Sequence, residues 1–87
     1  MSTFAVQRTL TGITMDQLAG AQKAAIDSSA KFTAEGTPVR YIRSNFYPAD
    51  AHCTCLFEAS SADDVRQVNE AAKLPFDRIE PVLDLNP

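Results

Sequence analysis

Apolar residues in this chain alternate between two spacings, and the order of the two constrains the fold more than any single motif. A strand turns every second side chain to one face, a helix every third or fourth. Residues 3–10 follow the first rule, with Phe4 and Val6 on one face and Ala5 and Gln7 on the other. Thr11-Gly12 breaks that run, and Thr14 opens a helical one. Its hydroxyl can cap the helix, Asp16 suits the first turn, and Gln17 completes a capping box. Met15, Leu18, Ala19, Gln22, Ala25, Ile26, Ser29 and Phe32 or Thr33 then mark a stripe at helical spacing. Gly36 and Pro38 end it.

Two strand-like runs follow, residues 39–47 and 52–59, around Pro48-Ala49-Asp50-Ala51. With Ala49-Asp50 at the centre of the turn, Tyr47 opposes His52, Asn45 opposes Thr54, Arg43 opposes Leu56 and Tyr41 opposes Glu58. This register predicts a small apolar face of Ile42, Phe46, Cys53, Cys55 and Phe57, joined by Arg40 and Ser44, beneath the helices. The opposite, polar and aromatic face is expected to stay open. Ser61 caps a second helix with Asp64 three residues on; Val65, Val68, Asn69 and Ala72 form its inner stripe, and Leu74-Pro75 ends it. Residues 78–85 read as a last strand, placed at a sheet edge because Pro81 has no N–H to donate.

Strand, helix, strand, strand, helix, strand is the split β-α-β pattern. The fold expected is therefore α+β and ferredoxin-like (βαββαβ), an antiparallel sheet with two helices on one face. At 87 residues, positions 1–87 form one domain with a thin core.

A net charge of −3 argues against a nucleic-acid partner, since phosphate binding requires a basic surface. No stretch approaches the roughly 18 apolar residues that cross a membrane. The opening residues also lack the basic and apolar segments of a secretory signal. A cytoplasmic protein is the expectation. Cys53 and Cys55 agree with it: two residues apart on a strand, their Cα atoms stand about 6.6 Å from each other with parallel side chains. That geometry disfavours a disulfide, so reduced thiols are expected, packed as small hydrophobes under the helices.

The run Cys55-Leu56-Phe57-Glu58-Ala59-Ser60-Ser61-Ala62-Asp63-Asp64-Val65, with Leu74-Pro75-Phe76-Asp77-Arg78-Ile79 after it, resembles a bacterial family of small ferredoxin-like domains of unknown function. The similarity extends over the whole chain, including Val6-x-Arg8, and Ser60 replaces a common proline. The family includes a streptomycete nickel-binding protein. The resemblance implies a homodimer and nickel, or another transition metal, as cofactor. Glu58 matches the family pattern, whereas Gln7 and Arg43 stand where it leads one to expect histidine.

On the open face, Gln7, Tyr41, Arg43, Asn45, Thr54 and Glu58 are the candidate binding residues, with a diagonal ion pair expected between Arg43 and Glu58. His52 and Glu58 are the candidate metal ligands. His52 points away from Cys53 and Cys55, so one chain cannot bring imidazole and thiols together on one side of a strand. Two rival readings stand beside metal binding. One is a small cofactor-free enzyme, oxygenase- or isomerase-like, with a pocket between sheet and helices; the other is a non-catalytic binding module. Nothing resembling a phosphate loop or a nucleophile elbow is present.

Overall fold

The computed structural model describes residues 1–87. The elements appear in the expected order: β1 (Ser2–Thr9), α1 (Met15–Ala34), β2 (Val39–Tyr47), β3 (His52–Ala59), α2 (Ala62–Ala71) and β4 (Arg78–Val82). The four strands form one sheet in the order β2-β3-β1-β4, each neighbouring pair antiparallel. Ala25 of α1 and Val65 and Val68 of α2 share one buried cluster with Phe4, Val6, Cys53, Cys55 and Phe57. Both helices therefore cover the same face, which makes the fold α+β and ferredoxin-like. Pro81 lies in an edge strand, where its missing donor costs no ladder bond.

The helix starts follow the caps. Thr14 Oγ1 accepts from Gln17 N at 3.1 Å while Gln17 Oε1 accepts from Thr14 N at 2.9 Å. Ser61 Oγ accepts from Asp64 N at 3.2 Å. The α1 stripe holds at Ala25 and Ser29, which are buried, and at Leu18 and Phe32, which are half-buried, whereas Met15, Ala19, Gln22 and Ile26 are exposed.

The hairpin register agrees with expectation from Tyr47↔His52 through Arg43↔Leu56 and then slips. A bulge at Ile42 inserts one residue, so Tyr41 pairs with Phe57 and Arg40 with Glu58. Because side chains alternate, one extra residue moves Tyr41 to the helix side and Arg40 to the open side. Val39 is buried in the core and Ile42 is not part of it.

β4 ends at Val82, earlier than expected, because the chain then leaves the ladder. Asp84 Oδ1 accepts from Arg43 Nη2 at 2.8 Å. β2 and β4 are opposite edges, so this ion pair spans both middle strands. Beneath it Ala5 and Leu56, which oppose each other across β1 and β3, are buried although no helix covers that face.

Ser29 Oγ is buried and lacks a hydrogen-bond partner. A buried hydroxyl in that state costs about 1–3 kcal/mol, and alanine is the better helix former. Ser29→Ala should therefore raise the unfolding free energy by about 1 kcal/mol in urea titration. A loss of stability would show that Ser29 has a partner or a packing role.

Candidate functional site

The sheet divides the chain's reactive side chains into two groups. On the open face, His52 begins β3 directly after the hairpin, where Asp50 Oδ1 accepts from its backbone N–H at 3.1 Å and fixes the turn. Its ring stands 5.4 Å from the ring of Tyr47, centroid to centroid. His52 Nε2 and Gln7 Oε1 are 2.6 Å apart, and Thr54 Oγ1 donates to the same oxygen at 2.8 Å. Thr54 Oγ1 also lies 3.2 Å from His52 Nε2. In the tautomer protonated at Nε2, that nitrogen donates to the amide oxygen and Nδ1 keeps a free lone pair.

Of the remaining open-face candidates, Asn45 stands beside this group and the others lie away from it. Glu58 lies six residues along the strand from His52, about 20 Å at strand rise. Its carboxylate accepts from Arg40 Nε at 3.3 Å, in place of the expected pair with Arg43. Arg43 faces Asp84, as described. Asn45 opposes Thr54 across the β2–β3 ladder. Tyr41 is not on this face: its ring packs edge-on against Phe57 at 5.5 Å, and its hydroxyl meets Ser44 Oγ at 2.7 Å and Gln22 Nε2 at 3.0 Å.

One chain does not fit nickel by itself. No group of three or more histidine, cysteine, aspartate or glutamate side chains is placed to hold an ion. His52 offers one nitrogen with amide and hydroxyl oxygens beside it, and Glu58 is out of reach.

On the helix side the sheet floor carries sulfur and a guanidinium. Arg8 is the next position on β1 that shares a face with Phe4 and Val6, and it is buried at 4% exposure. Its Nε donates to Cys55 Sγ at 3.3 Å, Nη1 to the Pro75 carbonyl at 3.1 Å and Nη2 to Asn69 Oδ1 at 2.6 Å. Asn69 is itself fully buried and donates to the Val65 carbonyl at 2.8 Å. Cys55 Sγ also accepts from Ser44 Oγ at 2.9 Å and lies 3.8 Å from Cys53 Sγ.

Burial, followed by the neighbouring Cys55, pushes the Cys53 thiol up from 9.0 to about 12. Both cysteines are free and buried, as the strand spacing leads one to expect. Above this floor, under α1, lies a cavity of about 270 Å³. Its walls are mainly apolar, including Leu18, Ala21, Phe46 and Leu74, and its polar groups are few: Arg8, Ser44, Gln22 and the two thiols. A pocket between sheet and helices thus exists, but no carboxylate or imidazole lines it to act as an acid or base.

The family model described as nickel-responsive protein, SCO4226-like, matches residues 4–82. The chain belongs to that family. The crystal structure of SCO4226 from Streptomyces coelicolor A3(2) superposes on it with a TM-score of 0.81 and 29% identity, covering 97% of this chain and 100% of that one. No functionally curated protein matches the chain. The match takes in both faces: His52, Gln7 and Thr54 on one, Arg8 and the thiols on the other. No helix is long and apolar enough to cross a membrane.

Sequence parity alone places Arg8 with Phe4 and Val6, so a buried arginine was within reach of the alternation argument. The strap formed by Asp84 carried no such signal.

The Cys53 environment has a measurable consequence. Between pH 9 and about pH 12 the unfolded chain releases a thiol proton that the folded chain retains. The stability contributed by the neutral thiol is thus complete below pH 9 and is lost as pH rises through 12. Cys53→Ala should lower the Tm at neutral pH and flatten its decline above pH 9. An unchanged slope would mean that Cys53 titrates as an ordinary thiol.

Proposed function

We propose that this protein binds nickel as a homodimer, with the ion held between two copies at the open sheet face and His52 as the nitrogen donor of each. The observation that carries this reading is the 2.6 Å contact between His52 Nε2 and Gln7 Oε1, in which the ring tautomer protonated at Nε2 is the donor. Metal-bound histidines nearly always donate their second ring N–H to an oxygen, which fixes the tautomer and aims the free nitrogen. Gln7 does that here, so its role is to position His52 rather than to ligate. Imidazole is a preferred donor for nickel, but one imidazole leaves most coordination positions to water. A second copy would double the nitrogen count.

The chain offers exposed apolar groups for self-association: Tyr47 on the same face, and Leu83 and Leu85 on either side of Asp84 in sequence. A small domain with a thin core gains stability from covering such groups. Membership of a nickel-responsive family supports the choice of metal.

Calorimetric titration of chelator-treated protein with Ni²⁺, paired with sedimentation, tests both parts. The expected result is one ion per two chains, dimer mass promoted by nickel, and binding lost in His52→Ala. Gln7→Leu should weaken binding about 10–100-fold, as loss of an outer-shell partner typically does. Glu58→Ala should leave it unchanged. Nickel uptake that survives His52→Ala, or one ion per isolated chain, would overturn the proposal.

A further inference from the structure

We propose that the cavity under α1 is a second binding site, for a small apolar anion of the monocarboxylate class, with Arg8 as its anchor. This site lies on the helix side of the sheet and does not depend on the nickel reading.

Charge is the first argument. Arg8 takes part in none of the chain's ion pairs. A guanidinium this deeply buried normally has an acidic partner, because removing an unpaired charge from water is costly. Here its partners are a cysteine sulfur, a backbone carbonyl and an amide oxygen. Those three bonds use three of five N–H donors, which leaves two for a ligand. Ser44 Oγ, which also reaches Cys55, adds a hydroxyl to the same wall.

Shape is the second. Around this polar floor the walls are aliphatic and aromatic, contributed by Leu18 and Ala21 of α1, Phe46 of β2 and Leu74 after α2. One polar corner and an apolar remainder is the arrangement that orients a ligand with a charged head and a hydrocarbon body. The volume of about 270 Å³ lies just below the range of about 300–1,000 Å³ that drug-sized ligands fill. It suits a chain of several carbons or a single aromatic ring, not a nucleotide or a large cofactor. A carboxylate also matches the planar fork of arginine, which can donate two parallel bonds to it.

The test compares octanoate with octanol on the unaltered, chelator-treated protein by isothermal calorimetry, so that no variant needs to fold. Octanoate should bind at least tenfold more tightly than octanol, and benzoate should compete with it. Ala21→Phe, which fills the cavity from α1 and leaves Arg8 in place, should abolish octanoate binding. Arg8→Met, close in volume and uncharged, should bring octanoate affinity down to that of octanol. Equal affinity for acid and alcohol, octanoate binding that survives Ala21→Phe, or no binding at millimolar octanoate would each overturn the proposal.

Discussion

One buried side chain ties this small fold together. The Arg8 guanidinium enters from β1 and bonds to β3 through Cys55, to α2 through Asn69 and to the segment before β4 through Pro75. These elements come from opposite ends of the chain, and an apolar residue at position 8 would leave Asn69 Oδ1 without this donor. Asn69 is fully buried, so the cost of an orphaned amide would fall on α2. Hydrophobic packing holds the helices to the sheet; Arg8 fixes where the second helix and the last strand sit upon it.

The same residue separates the chemistry of the two faces. Under the helices the polar groups include a guanidinium and two free cysteines, in contact with an apolar cavity. On the other side an imidazole, an amide and a hydroxyl form a small hydrogen-bonded group near the hairpin. The alternation of β1 produces this division, since Gln7 and Arg8 are neighbours in sequence and face opposite ways. Soft thiol donors and the imidazole therefore cannot meet in one chain. A metal site at the open face has to find its further ligands in solvent or in a second copy.

Much of the fold was legible because periodicity and caps agree. Thr14 with Gln17 and Ser61 with Asp64 mark the helix starts, and the Pro48–Ala51 turn sets the hairpin register at Tyr47↔His52. What was not legible arose where packing overrides period. The bulge at Ile42 has no signature in residue types, yet it exchanges the faces of Arg40 and Tyr41 and thereby the partner of Glu58. In α1 the expected stripe holds at Ala25 and Ser29, but two of its larger members, Met15 and Ile26, are exposed. The Arg43–Asp84 strap joins residues 41 apart in sequence across an otherwise bare sheet, a relation that no local pattern encodes. At the site, His52 and its neighbours Gln7 and Thr54 were placed on one face by parity alone. Parity also puts Glu58 on the face of His52, and it is the rise along β3 over six residues that separates the two.

The account turns on His52 being held by Gln7 with one ring nitrogen free. Long-range nitrogen–proton NMR of the histidine ring, recorded at a pH where His52 is neutral and before and after adding substoichiometric Ni²⁺, reads that state directly. The result expected is a ring protonated at Nε2, with paramagnetic broadening that begins at Nδ1 and at the Gln7 side-chain amide. A ring protonated at Nδ1, or a spectrum that nickel leaves unchanged, would contradict it.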